Sequence, residues 1–445
     1  MEPLRGAETT VGETRVVTRG CRLDSGSVRT VLDTEKRPRF AWATPAESLA
    51  AVGAAATIEA EGGSRFEDVR AAATTLFDHC ETPADLPAVA RPRLFGGFAF
   101  HERDDDRDDS PWTGFPGAAF FLPEVQLTVH DDERWLTTAA TGEGAADRAE
   151  DLRSTWRERL QTDRPKMGAH NPGIASRERE PSRAAWRDQV GKAVESVKQG
   201  DLRKVVLAQA LRVELASDFS VPDVLGRLAA TYPDCYRFML TPEGGATFFG
   251  ATPERLVSLR GRTVRTEALA GSTGRGDTPA EDEWLAAELL KSEKDIHEHE
   301  LVANAVRDQL EPFAASVRIG ERSVRRLATV QHLRTSITAE LADDEHILSL
   351  VEALHPTPAV GGLPPDAALR TIRETEAFDR GWYAAPVGWV DAAGNGTFAV
   401  GIRSAVASER TATLFAGAGI VADSDPDREW DEVQLKYRPM LDELE

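Results

Sequence analysis

Residues 383 to 422 read YAAPVGWVD, then GTFAVGIRSAVA, then TATLFAGAGIVA: three apolar stretches with barely a turn between them. Connections that short cannot return the chain to start a parallel strand, so the stretches have to pair antiparallel. DAAGNGTF, which joins the first two, reads as a hairpin-like turn. Upstream, LRKVVLAQALRVEL (202 to 215) and GATFFGATPERLVSLRG (245 to 261) add strands of the same kind. If the first is regular, Lys204, Val206, Ala208 and Ala210 share one face, and Val205, Leu207 and Gln209 the other. Helices are interleaved. Ser182 caps one whose apolar positions Trp186, Val190, Val194 and Val197 share a face and which Gly200 ends. A long helix is expected from Ala280 to about Leu310, with Trp284, Leu285, Leu289, Ile296 and Leu301 as its apolar positions. The fold class is α+β, antiparallel sheets with flanking helices, rather than doubly wound α/β.

At 445 residues the chain is long enough for two or three ordinary domains, or for one large fold with two halves. Its clearest seam is TDRPKMGAHNPGIASREREPS (162 to 182), rich in Pro, Gly and charge without apolar periodicity. Residues 1 to 175 form the N-terminal part and 183 to 445 the part that carries the motifs, the two expected to make one continuous globular unit.

A net charge of −21 argues against nucleic acid or an anionic membrane as partner, since both attract basic surface. Only 8 of the 53 basic residues are Lys. Excess Asp and Glu with little Lys resembles proteins adapted to very high salt, and the run ERDDDRDDS (102 to 110) is expected to be a solvated loop. Cys21, Cys80 and Cys235 are widely spaced without a CxxC, which suits a reducing cytoplasm and disfavours a thiolate zinc site. No apolar run approaches the length of a membrane span, and MEPLRGAETT lacks the plan of a signal peptide. A soluble cytoplasmic protein is expected.

Gly417, Gly419 and Ala422 fit the GxGxxA of a dinucleotide loop. The context does not. The loop runs into DSDPDR instead of a helix, and 23 residues after Ala422 are too few for another βαβ unit. The glycines suit a close backbone approach to some ligand, with N–H groups for an oxyanion. Beyond them Glu429, Glu432 and Lys436 share a helical face, and Asp295 and Glu298 form a second acidic pair at the same spacing. Two such pairs suit a hard cation such as Mg²⁺, or are two solvated acidic faces; spacing alone does not decide. The HEHE of 297 to 300 is no zinc motif, because His297 and His299 point to different faces of a helix.

KVVLAQ (204 to 209), GATPERL, TEALAGSTGRG, SEKDIHEHELV, LHPTPAVGGLP, YAAPVGW, AVGIRSA, AGAGIV and SDPDREWDEVQLK occur in the order found in chorismate-utilising enzymes. The chain resembles that family across 204 to 436. The resemblance implies a large fold of two antiparallel sheets with flanking helices, and chorismate as the small-molecule substrate. It implies Mg²⁺ held by Glu298 and Glu432, with Asp295 and Glu429 supporting. Arg403 and Lys436 would bind the substrate's carboxylates, and the Gly417–Gly419 turn would give backbone donors. Gly271, Ser272, His332 and Tyr383 would be further substrate-binding positions. Lys204 matches the family's water-activating base and Glu254 its general acid. Such roles call for a desolvated amine and a carboxyl kept protonated by an apolar pocket.

Within the family, Lys204 argues for water as nucleophile, since anthranilate synthases carry glutamine there. Ala270 argues against a covalent amine, and LHPTPAVGG is similar to the isochorismate synthase form of that segment. Gln209, where Arg is commoner, is a departure. The resemblance therefore implies an isochorismate synthase without an amidotransferase partner, feeding menaquinone or siderophore synthesis with a lean to menaquinone. A salicylate synthase is the alternative, ahead of anthranilate synthase or a non-catalytic relative.

Overall fold

The computed structural model describes residues 8–9, 15–102, 110–163, 168 and 171–445. Most of the acidic run at 102 to 110 lies outside them. The described strands join in one continuous hydrogen-bonded network, antiparallel except where Val16–Leu23 runs alongside Cys80–Glu81. This is the antiparallel α+β architecture that the hairpin punctuation demands, with the two expected sheets linked into a single network. The hairpin at DAAGNGTF forms as read, pairing Trp389 with Thr397 and Val390 with Gly396.

Two pairings join the N-terminal strands to the motif-bearing ones. Arg39–Ala43 lies beside Tyr236–Thr241, and Arg93–Phe98 beside Pro386–Asp391. One apolar core runs from Val16 to Leu444 across both. Its centre is aromatic: Trp112 stacks on Phe415 with ring centroids 5.5 Å apart, and Tyr383 stacks on Phe415 at 5.1 Å. Such contacts are each worth about 0.5–1.5 kcal/mol beyond the area they bury. They stiffen the wall of the site described below.

Part of the proposed seam is a strand. Ile174–Glu180 pairs with Ala210–Leu215, and its side chains are mostly exposed. An edge strand bonded only through its backbone needs no apolar alternation, so none was legible.

The helix Arg183–Gln199 is capped by Ser182 and ended by Gly200 in the left-handed conformation, as expected. The single helix expected over 280 to 310 is two, Pro279–Leu289 and Glu293–Leu310. Ser292 stops the first register and caps the second by accepting from the Asp295 N–H. The apolar phase is not carried across that break, and Trp284, expected inside, is 60% exposed.

Candidate active site

The strand Lys204–Leu215 lies beside Thr411–Ile420 in a register that sets Val206 opposite Gly419 and Ala208 opposite Gly417. Strand alternation puts Lys204 and Val206 on one face, where they form the floor of a cavity. Lys204, Glu254, Gly271, Ser272, Glu298, His332, Tyr383, Arg403, Gly417, Gly419, Glu432 and Lys436 all line it. Asp295 and Glu429, the other two positions singled out from the sequence, do not.

Lys204 is buried, and its Nζ lies 2.8 Å from Glu298 Oε1. The amine is shielded as expected, but by a carboxylate as well as by apolar neighbours. A Cβ on Gly419 would come within 2.6 Å of both Glu298 Oε1 and Lys204 Cε. That position is empty of side chain so that the pair can form. Here the sequence reading is corrected: Gly417 and Gly419 sit in a strand, not a turn. Gly417 presents its carbonyl to Lys436 Nζ at 2.8 Å.

Glu254 sits in the break between Thr247–Thr252 and Arg255–Arg260, which turns its side chain into the cavity. Burial pushes its carboxyl up to about 7; the nearby Glu267 adds to this, and Lys204 opposes it. Glu267 is itself buried and held by Arg334 at 2.5 Å and Arg325 at 3.3 Å.

On the facing wall, Glu432 meets Lys436 Nζ at 2.6 Å and accepts from the Ser272 hydroxyl at 2.8 Å. Burial alone would raise this carboxyl, but Lys436, Ser272 and Lys294 outweigh it and hold Glu432 down at about 2. Ser272 reaches Glu432 because of a β-bulge. The register between Thr263–Gly274 and Val330–Leu341 shifts between Ala270 and Ser272, and the extra residue, Gly271, has φ +75°. Asp295 and Glu429 stand behind the wall, each raised first by burial; Glu298 adds to the rise at Asp295, and Glu432 to both. Lys294 pairs with Glu429 at 3.1 Å. Carboxylates so crowded are a donor set for a hard divalent cation. Among the described residues no group of three or more His, Cys, Asp or Glu side chains is placed so that it could hold a metal ion.

The third wall is cationic. Arg403 is buried in the left-handed region (φ 51°), and its Nη1 has no hydrogen-bond partner among the described residues. Its Nη2 lies 3.4 Å from His332 Nε2, and burial followed by Arg403 drives His332 well below its usual range, so it is neutral. Tyr383, pushed up to about 12 by burial, keeps its phenolic proton. A buried guanidinium with an unused donor, facing a lysine and a protonated acid, suits a small anionic substrate. His299 takes no part: its ring bonds the Ala270 carbonyl and the Thr335 hydroxyl.

The reading from sequence missed the apolar lining, Val206, Leu269, Ala359, Val360, Ile402 and Phe415. Nothing but proximity to the motifs distinguishes these from core residues.

Residues 10–445 match the profile of the chorismate binding enzymes. The chain is 39% identical over 432 residues to the salicylate biosynthesis isochorismate synthase of Pseudomonas aeruginosa, covering 95% of this chain and 88% of that one. It is 35% identical over 419 residues to the isochorismate synthase MenF of Bacillus subtilis, covering 91% and 88%. In structure it is similar to MenF, the menaquinone-specific isochorismate synthase of Escherichia coli, with a TM-score of 0.81, 25% identity and coverage of 97% and 95%. Among the described residues no helix is long and apolar enough to cross a membrane.

Proposed function

The chain belongs to the family of chorismate-binding enzymes, and within it we propose an isochorismate synthase, which adds water at C2 of chorismate while the C4 hydroxyl departs. The observation that carries this reading is the presence on one cavity of a buried lysine, Lys204, and a carboxylic acid, Glu254, held near neutrality. Lys204 takes a proton from the attacking water as its oxygen bonds to C2. The ring double bonds shift, the C4–O bond breaks, and Glu254 gives its proton to the departing hydroxyl. One water enters and one leaves, and exchange with solvent returns the two side chains to their starting states.

Arg403 and Lys436 bind the two carboxylates of the substrate, with Tyr383, His332, Ser272 and the backbone of Gly271, Gly417 and Gly419 shaping its place. Mg²⁺ is the cofactor we assign, with Glu298 and Glu432 to hold it and Asp295 and Glu429 behind them. When bound, the ion supplies positive charge for the ring carboxylate.

Lys204 and Ala270 set the reading apart from amine-forming relatives, so no amidotransferase partner is needed. The curated names of the relatives favour isochorismate as product, and the MenF likeness favours menaquinone as its destination. A cytoplasmic, salt-adapted enzyme is consistent with the scarcity of Lys and the charge of −21.

The test is product analysis after incubating the protein with chorismate and Mg²⁺ at high salt. Isochorismate is expected. Salicylate with pyruvate would show the alternative reading, and anthranilate on adding ammonia would overturn both. Lys204→Ala should lower turnover by about 10²–10⁴-fold; survival within tenfold would contradict the base assignment.

A further inference from the structure

The strand that carries Lys204 is paired along one edge from Val205 to Glu214. Its other edge has strand partners only at the ends. Lys204 and Val205 face Leu363 and Gly362, and Ala210 onward faces Ile174–Glu180. Across 206 to 209 there is none among the described residues. The Val206 N–H donates to the Gly361 carbonyl at 2.8 Å. Side chains take the next groups along this edge. Arg380 Nη2 donates to the Val206 carbonyl at 2.8 Å, and the Ala208 N–H donates to Glu376 Oε1 at 2.8 Å. The two side chains are joined as a fork, Nη2 to Oε1 at 2.5 Å and Nε to Oε2 at 2.8 Å. Arg380 Nη1 also donates to the Val360 carbonyl at 2.9 Å.

The pair is 1% and 3% exposed. Stability does not explain an ion pair so fully withdrawn from water, because apolar residues of similar volume often serve as well or better. Apolar residues cannot bond three backbone groups at once. Two of those groups belong to the Lys204 strand and one to the segment carrying Val360, and both Val206 and Val360 line the cavity.

We propose that Glu376 and Arg380 are a positioning pair for the reaction, standing in for the missing stretch of strand so that Lys204 is held at a fixed depth against the Val360 wall. The proposal rests on the reading of Lys204 as the base. Neither side chain lines the cavity; Arg380 lies over the ring of Tyr383 with its Cζ 6.0 Å from the centroid, and the pair's hold on Lys204 passes through the backbone it bonds.

A double-mutant cycle tests it, with Arg380→Met, Lys204→Ala and the two combined, and circular dichroism and Tm recorded for each. In the parent, Arg380→Met should lower kcat by about 100-fold with KM changed less than about threefold, the signature of a misplaced catalytic group. Arg380→Lys should restore only part of the loss, since an ammonium cannot reproduce the fork. With Lys204 already absent, Arg380→Met should cost less than about threefold, because there is no base left to misplace. Equal losses in both backgrounds, with Lys204→Ala itself lowered by about 100-fold or more yet still measurable, would overturn the proposal alone. Lys204→Ala turnover within tenfold of the parent would overturn the base reading and the proposal with it. Should Arg380→Met fail to fold, Glu376→Gln, which keeps the volume and an acceptor for Ala208, carries the same comparison.

Discussion

Glu254 is held near neutrality by burial first and by Glu267 second, so a proton is available for a leaving hydroxyl at physiological pH. The value of about 7 sets a prediction for the free enzyme: kcat/KM falls as pH rises through about 7, where the acid is lost. Replacing Glu267 with Gln removes a neighbouring negative charge and leaves Arg334 and Arg325 nearby. The limb should then move to lower pH, and a limb unmoved would show that Glu267 does not act on the acid. The same burial has a cost in stability. A carboxyl at about 7 when folded and 4.5 when unfolded favours folding below 4.5, and that contribution is lost as pH rises through 7. Glu254→Gln should therefore be more stable than the parent at pH 8, by up to roughly 3 kcal/mol, with no such advantage at pH 4. Thermal unfolding at the two pH values checks this. The variant should be inactive at both.

Among the elements, the bulge at Gly271 links local backbone to chemistry most directly. An alanine there takes on a left-handed φ of +75° and brings its Cβ to 3.1 Å from that of Asp295. Gly271→Ala should lower Tm and move Ser272 off Glu432. The Mg²⁺ concentration giving half-maximal activity should then rise several-fold, and an unchanged value would separate the bulge from the carboxylate wall. Neither the bulge nor the break before Ser292 was legible as such. A bulge has no period, and Ser292 stood among apolar positions that were read as one helix although their phase breaks there. The strand at 174 to 180 was missed because its side chains face solvent. What was legible had either a strong local period or a motif. The helix ending at Gly200, the strand faces around Lys204 and the convergence of Glu298 with Glu432 belong to that class. Glu376 and Arg380 stand at i,i+4, a spacing that in sequence reads as an ordinary surface pair. Only their burial against the Lys204 strand reveals otherwise.

At the scale of the whole molecule, a net charge of −21 must be reconciled with an anionic substrate. Arg403 and Lys436 gather positive charge on the cavity wall. Self-repulsion of the net negative charge is screened by salt, the Debye length falling from about 10 Å at 0.1 M to about 3 Å at 1 M. Tm should therefore climb between 0.1 M and 2 M KCl, and a flat or falling curve would contradict salt adaptation. The central claim, that this cavity adds water to the chorismate ring, is tested most directly by running the reaction in ¹⁸O-labelled water with Mg²⁺ and examining the product by mass spectrometry. The account predicts isochorismate carrying one solvent oxygen at C2. Isochorismate without label, formed by an internal shift of the original hydroxyl, would contradict it.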